Sequence, residues 1–380
     1  MDFNFSSEQE QLRDTVNRLI EREYEFNKQR HAIIHSAAGY SEKVWASMAE
    51  IGVLGIGIDE AHGGFGGNAI DTMIVMEALG RSLVVEPYLA TVVLGANLIK
   101  LAGSDAQKSS LLPQIVAGNL KLAFAYSETG TRYDLKRIAT VARKEGAGYV
   151  LNGEKIIVLH GNIADKIIVS VATAGALHDG QGMALFLVDA KTSGLNITGY
   201  RTIDNQRAAN CHFDNVRVSA DAMLGSSEDN LAIVEQVMDI ATTALIAESV
   251  GAMEALQKST LEYLKTRRQF GVPIGKFQAL QHRMVDMLMY VEQSRSMAYL
   301  AAVKVQSNDV AERQRVVSAA KNAIGRYGRL IAQEAVQMHG GMGMTDELSA
   351  SHYFRRLTAI DATLGDADHH LSRFAASPTF

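Results

Sequence analysis

Three short stretches near the C-terminal end decide the fold of this chain: Arg267-Arg268-Gln269-Phe270-Gly271, then Phe277-Gln278, then Gln337-Met338-His339-Gly340-Gly341-Met342-Gly343. The guanidinium of Arg267 offers a planar fork of N–H donors that fits a diphosphate. The glycines of the third stretch let a backbone come close to a cofactor. Each stretch alone has an ordinary explanation, since Arg267 also fits a solvated helix-end charge and Gly340 a helix C-cap. Their order, with a helical segment between them, predicts a cofactor-binding helical domain.

The residues around these stretches have helical periodicity. Apolar side chains at Met284, Met287, Leu288 and Val291 follow the i, i+3, i+4, i+7 spacing of one helix face. This pattern predicts a four-helix bundle. The expected helices cover about 231–266, 277–305, 310–338 and 346–375.

Farther upstream the pattern changes twice. Short β-type runs fill the middle of the chain, and Asn152-Gly153 predicts a hairpin turn between two of them. The beginning of the chain is helical, with Ser7 and Glu10 as a capping box. The expected fold is mainly α with a β middle domain. Its parts are an N-terminal α-helical domain at 1–119, an antiparallel β sandwich or barrel at 120–227, and the C-terminal four-helix bundle at 228–380.

Composition excludes several classes of protein. A net charge of −5 with mixed signs offers no basic surface for nucleic acid. No apolar run is long enough for membrane insertion, and the first residues lack a signal-peptide pattern. The single Cys211 excludes an internal disulfide framework and suits a reducing compartment, so a cytoplasmic location is expected. His369-His370 is not expected to bind a metal, because adjacent helical residues point apart.

The three C-terminal stretches, in this order, resemble the flavin-binding half of an acyl-CoA dehydrogenase, and the α–β–α order fits that family along nearly the whole chain. The resemblance implies FAD as cofactor, an acyl-CoA thioester as substrate and an electron-transfer flavoprotein as electron acceptor. It also implies the flavin-binding residues of this half of the chain, which are Arg267, Gln269, Phe270, Phe277, Gln278, Gln337, Gly340 and Gly341. In the resemblance, Arg267 and Gln269 contribute to one flavin, and Gln337 to Gly341 contribute across the subunit interface.

Two family motifs of the middle domain are altered here. Where the family has Thr-Glu-Pro-x-Ala-Gly-Ser-Asp, this chain has Ser127 in a flavin-binding position and Tyr133 in place of the serine that faces the thioester. Where the family has Lys-x-Trp-Ile-Thr-Asn, Ile157 and Leu159 replace the tryptophan and the threonine that lie against the flavin ring. The resemblance therefore implies that the flavin N5 lacks one hydrogen-bond partner.

The catalytic base is the third departure from the family pattern. Removing an α-proton beside a thioester requires a positioned acceptor, usually a carboxylate. Counting from Gly343 places the family's glutamate at Leu364, and the position that some members use instead falls at Ala241. Asp366 is the remaining candidate, with pairing to His370 at i+4 or to a nearby arginine as its alternative role.

Three further residues occupy positions on the substrate side of the family pattern: Tyr133, Thr242 and Gly365. Leu364 keeps the backbone N–H that, in the family, donates a hydrogen bond to the thioester carbonyl. Polarisation of the thioester is therefore expected to persist without proton removal.

Within this family, the chain resembles the small subunit of pimeloyl-CoA dehydrogenase-type enzymes, notably over 72–81, 86–91, 353–358 and 365–371. The prediction is an FAD-dependent acyl-CoA dehydrogenase that desaturates the α,β bond as a subunit of a heteromer, with a homologous large subunit supplying the glutamate. Three alternatives stay open: a self-sufficient homotetramer with Asp366 as base, an inactive flavin- or acyl-CoA-binding homologue, and a flavin mono-oxygenase.

Overall fold

The computed structural model describes residues 5–173, 182–225 and 230–377. These residues form two compact units. The first contains the chain up to Ala32, Ala69–Val84 and the chain from Thr242 onward, and the second contains Ile33–Asn68 and Val85–Ala241. The expected order of a helical part, a β part and a helical bundle is confirmed. The expected boundaries after residues 119 and 227 stay a prediction.

The secondary structure follows that order along the chain. The α-helices are α1 (Ser7–Glu23), α2 (His31–His35), α3 (Glu42–Glu50), α4 (Ala69–Arg81), α5 (Ala96–Ala102), α6 (Asp105–Val116), α7 (Leu231–Thr266), α8 (Gln278–Lys304), α9 (Val310–His339), α10 (Ser349–Ala362) and α11 (Ala367–Ala376). The strands are β1 (Leu122–Ala125), β2 (Val141–Glu145), β3 (Gly148–Leu159), β4 (Lys166–Ala172), β5 (Met183–Asp189), β6 (Leu195–Arg201), β7 (Arg207–Ser219), β8 (Arg268–Gln269) and β9 (Val272–Pro273). None of the helices in the described ranges is both long and apolar enough to cross a bilayer.

Helix α9 lies at the centre of the bundle in the first unit and packs against α8, α10 and α11. Its buried residues Val317, Ile324 and Ile331 recur every seven positions. That spacing places them on one helix face, which α9 buries along its length.

Glycines allow α4 and α7 to cross at close range in the same unit. A Cβ on Gly80 would lie 2.0 Å from the backbone oxygen of Glu248, and one on Gly251 would lie 1.9 Å from that of Glu77. Any side chain at either position would force the helices apart. Close by, Arg356 forms a two-point salt bridge with Glu248, at 2.6 and 2.8 Å, so the buried carboxylate is paired.

The second unit contains a seven-stranded sheet in the order β1-β4-β2-β3-β7-β6, with β5 paired to β4. Side chains from several strands, including Leu151, Phe186 and Phe213, share one buried core. Two pairings differ from the antiparallel expectation, because β1 and β2 run parallel to β4.

The hairpin turn expected at Asn152-Gly153 is wrong. Strand β3 is continuous through these residues and pairs with β2, and the turn lies between Glu145 and Gly148. Gly153, at φ +145°, instead marks a register shift of β3 against β7. A glycine inside a strand often marks such a bulge, so the Asn-Gly pair, which from the sequence alone predicts a turn, indicates a bulge here.

Two helix limits also differ from expectation. The capping box of α1 is formed by Ser6 and Gln9, one residue earlier than expected, because the extended backbone of a cap occurs at Ser6. The single helix expected over 346–375 is two helices, α10 and α11. The break coincides with left-handed backbone at Leu364 (φ +60°) and Gly365 (φ +106°), which cannot continue a helix.

Candidate functional site

A β-hairpin at the end of α7 carries the first sequence stretch. Strands β8 and β9 pair Arg268 with Pro273 and Gln269 with Val272. The two turn residues, Phe270 (φ +52°) and Gly271 (φ +80°), both have left-handed backbone, as a type I′ turn requires. A phenylalanine in this conformation is strained, and strain in a folded protein often accompanies a binding role.

This hairpin presents an aromatic tip and an unpaired guanidinium. Phe270 is 90% exposed, and its ring packs edge-on against Phe277 with centroids 6.0 Å apart. Arg267 is also exposed, and among the described residues its side chain has no salt-bridge or hydrogen-bond partner. Its backbone is fixed, because its N–H donates to Tyr263 at 2.8 Å and its carbonyl accepts from Ile274 at 2.9 Å. A fixed backbone with an uncommitted guanidinium suits an anionic ligand.

The glycine stretch follows the last turn of α9. Gly340 caps the helix, since its N–H donates to the backbone oxygen of Gln337. A Cβ added to Gly340 or to Gly341 would meet no atom within 4 Å. Crowding by the described part of the chain therefore does not explain why residue 341 is a glycine. The open space beside its backbone fits a bound molecule that approaches from outside.

Tyr263 joins the hairpin to the glycine stretch, a link that the sequence pattern did not indicate. Its hydroxyl donates to the backbone oxygen of His339 at 3.3 Å, and the two rings pack at a tilt of 33° with centroids 4.4 Å apart. Burial lowers the pKa of His339, whose Nδ1 lies 2.8 Å from the backbone oxygen of Ala335. Since Arg267 follows Tyr263 by one helical turn, the structure brings Arg267 and Gly340 to the same end of the bundle. The remaining expected flavin residues of this end, Gln269, Gln278 and Gln337, are exposed as well.

In the second unit, a buried salt bridge anchors the loop after β1. Lys155 Nζ lies 2.7 Å from Glu128 Oε1, and the lysine is fully buried. Glu128 also accepts hydrogen bonds from the N–H groups of Ala139 and Thr140, at 2.7 and 3.0 Å. Burial opposes its charge, but Lys155 and these donors outweigh burial and lower the pKa of Glu128. Burial lowers the pKa of Lys155 to about 8.

The same loop holds the expected residues Ser127 and Tyr133. The carbonyl of Ser127 accepts from the N–H of Ile156 at 2.9 Å, so the loop is tied to β3. Tyr133 is half-buried, with the guanidinium of Arg132 5.8 Å from its ring centre. Glu128 and Lys155 each belong to one of the two family motifs of the middle domain, but the sequence did not indicate that they pair.

Ile157 occupies a strained and exposed position on β3. Its φ is +54°, it is 53% exposed, and it lies at a register shift between Lys155 and Val158. A β-branched residue rarely adopts left-handed backbone, and exposure gives it no packing in return. The following slot, Leu159, is half-buried with ordinary strand geometry. Of the two residues that replace the family tryptophan and threonine, Ile157 is therefore the one whose backbone strain points to a binding role.

Leu364, the residue that the family resemblance assigns to the base position, lies in the break between α10 and α11. Leu364 is nearly buried, and its carbonyl accepts from His370 Nε2 at 2.9 Å. The pairing of Asp366 with His370 is wrong: the other ring nitrogen of His370 faces Ser318 Oγ at 3.4 Å. Asp366 instead caps α11, its Oδ1 accepting from the N–H of His369 at 2.8 Å.

The alternative base position, Ala241, and the substrate-side position Thr242 do not present an exposed side chain. Ala241 and Thr242 are both buried within α7, so neither residue offers a proton acceptor on the surface. Within the described ranges, no cluster of three or more histidine, cysteine, aspartate or glutamate side chains could hold a metal ion.

Three models of known protein domains match the chain in order. The acyl-CoA dehydrogenase N-terminal domain matches residues 6–119, the middle domain residues 123–216, and the C-terminal domain residues 231–377. The probable acyl-CoA dehydrogenase YngJ of Bacillus subtilis is 27% identical over 374 residues, which cover 97% of each chain.

Two solved structures are similar over almost the full length. The ChsE4-ChsE5 complex from Mycobacterium tuberculosis matches with a TM-score of 0.89 at 26% identity, covering 100% of both chains. The FAD complex of PigA matches with a TM-score of 0.90 at 26% identity, covering 99% of this chain and 98% of that one. With all three domain matches in order, the chain belongs to the acyl-CoA dehydrogenase family, an oxidoreductase family whose cofactor is FAD.

Proposed function

We propose that this chain binds FAD and an acyl-CoA thioester as one subunit of a heteromeric acyl-CoA dehydrogenase, in which a homologous chain supplies the catalytic glutamate. The observation that carries the proposal is the loop at Leu364: the residue that the family resemblance assigns to the base accepts no proton, while the loop around it is held by hydrogen bonds. Similarity to the ChsE4-ChsE5 complex supports a partnership between two different chains. The resemblance to the pimeloyl-CoA dehydrogenase small subunit points to the same arrangement.

The residues at the end of the bundle fit FAD. Arg267 has a free guanidinium for the diphosphate, and Gly341 leaves open space beside its backbone. When bound, FAD supplies the acceptor for the hydride that leaves the β-carbon. The protein residues contribute binding and orientation: the loop at Ser127 and Glu128 is held rigid by Lys155, and the exposed Phe270 offers apolar surface to a neighbouring subunit.

On the substrate side, this chain contributes binding and polarisation. The backbone N–H of Leu364 is retained, and a fixed N–H at that position stabilises negative charge on a thioester oxygen. Because Leu364 cannot accept the α-proton, a carboxylate must come from another chain. A trans-2-enoyl-CoA is the expected product, with an electron-transfer flavoprotein as electron acceptor.

The first test is FAD binding. Titration of the purified protein with FAD, followed by fluorescence quenching, should give saturable binding. Arg267→Gln should weaken it by about 10- to 100-fold, the loss of a charge-assisted contact. Arg268→Gln is the matched control, since Arg268 donates to its own turn at Gly271 and should change affinity little. Equal affinity for all three proteins would remove Arg267 from the site.

The second test is reconstitution. The FAD-loaded chain, alone, should leave the flavin spectrum oxidised when a panel of acyl-CoA thioesters is added under anaerobic conditions. Mixing with a homologous chain that carries the glutamate should produce bleaching. No gain on mixing would contradict the heteromeric proposal.

The geometry does not favour Asp366 as a relocated base, because its carboxylate already caps α11. Asp366→Asn separates the two roles, since asparagine caps a helix as well as aspartate but accepts no proton. We expect unchanged activity in the reconstituted enzyme. A loss of turnover with unchanged thermal stability would instead make Asp366 the base.

A further inference from the structure

A buried lysine holds the loop that contains the base position. Lys321 on α9 is fully buried, and its Nζ donates to three backbone oxygens. The acceptors are Ile360 at 3.0 Å, Asp361 at 2.9 Å and Gly365 at 2.6 Å. An ammonium has three protons, so these contacts satisfy its full donor capacity.

The three carbonyls belong to two different parts of the loop. Ile360 and Asp361 lie in the last turn of α10, where the helix dipole is negative, and the Ile360 carbonyl also accepts from the N–H of Thr363 at 3.2 Å. Gly365 lies beyond the break, on the other side of Leu364. One cation therefore joins the end of α10 to the residue after the base position, and Leu364 lies between its anchor points.

A second set of contacts holds the same loop from the side of Asp361. One carboxylate oxygen accepts from the N–H of Ala367 at 3.2 Å, and the other accepts from Arg329 Nη2 at 2.9 Å. A Cβ on Gly325 would lie 2.2 Å from this carboxylate, so α9 approaches it closely. The loop is thus fixed at both ends by polar contacts with α9.

We propose that Lys321 is a positioning residue that sets the direction of the Leu364 backbone N–H toward a bound thioester carbonyl. The inference rests on the proposed function, which assigns that N–H to the thioester. It also accounts for the left-handed backbone at Leu364: a non-glycine residue at φ +60° persists when its surroundings fix both flanks. Lys321 acts through the backbone and does not touch the substrate.

This role differs from that of a lysine that only stabilises the fold. A purely structural lysine would affect the free energy of unfolding but leave the bound thioester unchanged in the folded fraction. A positioning lysine would change how strongly the carbonyl is polarised in protein that is folded and loaded with FAD.

The test uses 4-(dimethylamino)cinnamoyl-CoA, whose absorption moves to longer wavelength when its thioester carbonyl accepts stronger hydrogen bonds. The FAD-loaded protein should shift the band, and Lys321→Met should lose most of the shift and bind the probe about tenfold more weakly. Arg326→Met is the control, an exposed cation on the same helix, and should behave like the unchanged protein.

The outcomes distinguish the two proposals. If the unchanged protein binds FAD but gives no band shift, the thioester role assigned under the proposed function fails. If it shifts the band and Lys321→Met shifts it equally, the role of Lys321 is overturned. Lys321→Gln, which keeps two donors without charge, should give an intermediate shift. Failure of both variants to fold would show that the ammonium is needed for the whole domain, and would overturn a local positioning role.

Discussion

The Nε2 atom of His370 lies 2.9 Å from the backbone oxygen of Leu364. A carbonyl only accepts, so Nε2 carries the proton, and Nδ1 is left to accept from the hydroxyl of Ser318. Burial lowers the pKa of His370 to about 3, and the positive charge of Lys321 acts in the same direction. The imidazole is therefore neutral at physiological pH. It donates, as an uncharged group, to the carbonyl of Leu364 in the loop between α10 and α11.

This neutral histidine predicts loss of stability in mild acid. The folded pKa lies below the unfolded value, so the contribution is fully present above about pH 6.5 and is lost as pH falls toward about 3. The comparison variant is His370→Gln, which keeps a side-chain donor. Between pH 7 and pH 4, the unchanged protein should lose roughly 2–3 kcal/mol more of its unfolding free energy than this variant does. Urea unfolding at several pH values measures this. The exposed His282→Gln is the control, and equal pH slopes for all three proteins would contradict the assignment.

Leu364→Glu should give this chain a base of its own. The loop geometry is already fixed by Lys321 and His370, and the position is nearly buried, which raises the pKa of a carboxyl toward the working range of a general base. A positioned general base contributes about 10²- to 10⁴-fold. Anaerobic bleaching of the flavin by acyl-CoA should therefore accelerate by at least about 100-fold in the FAD-loaded variant.

The matched control for this gain of activity is Leu371→Glu, the same substitution at an exposed position of α11. It should leave the bleaching rate unchanged. If Leu364→Glu folds, binds FAD and still fails to bleach with any thioester of the panel, Leu364 is not at the base position.

Local patterns in the sequence were sufficient for the long helices. Periodicity predicted helices at 231–266, 277–305 and 310–338, and the structure has α7, α8 and α9 at Leu231–Thr266, Gln278–Lys304 and Val310–His339. Long amphipathic helices are determined by residues close in sequence, which is why this part of the fold was predictable.

Features that depend on distant residues were not predictable in this way. The Lys155–Glu128 salt bridge joins residues 27 positions apart, and Lys321 reaches Gly365 across 44 positions. The parallel pairing of β1 with β4 is likewise a long-range contact. The break at Leu364 had one local signal, Gly365, since glycine is typical of helix ends, but helical periodicity alone predicted a single helix there. Counting along the family pattern identified Leu364 as important, but only the structure shows what holds it.

Removing one partner of the buried salt bridge in the second unit should be strongly destabilising. Lys155→Met would leave Glu128 charged and without a counter-ion in a buried site. We expect a loss of roughly 3–5 kcal/mol of unfolding free energy. Lys166→Met is the control, because the Lys166–Asp189 pair is solvent-exposed and should cost about 1 kcal/mol or less. Chemical denaturation of both variants measures the two losses of unfolding free energy. Similar losses would contradict the expectation that the buried pair contributes more to stability than the exposed one.

Ile157 allows stability and cofactor binding to be separated in one experiment. Its left-handed backbone is unfavourable for a β-branched residue, whereas glycine adopts it freely, so Ile157→Gly should raise the unfolding free energy by about 1 kcal/mol. The neighbouring Ile156→Gly should lower the unfolding free energy, because Ile156 has ordinary strand geometry and is partly buried in β3.

If Ile157 lies against the flavin, as the family resemblance implies, the stabilised Ile157→Gly protein should bind FAD several-fold more weakly. Greater stability with unchanged FAD affinity would place Ile157 away from the cofactor, and reduced stability would show that its surroundings compensate the strain.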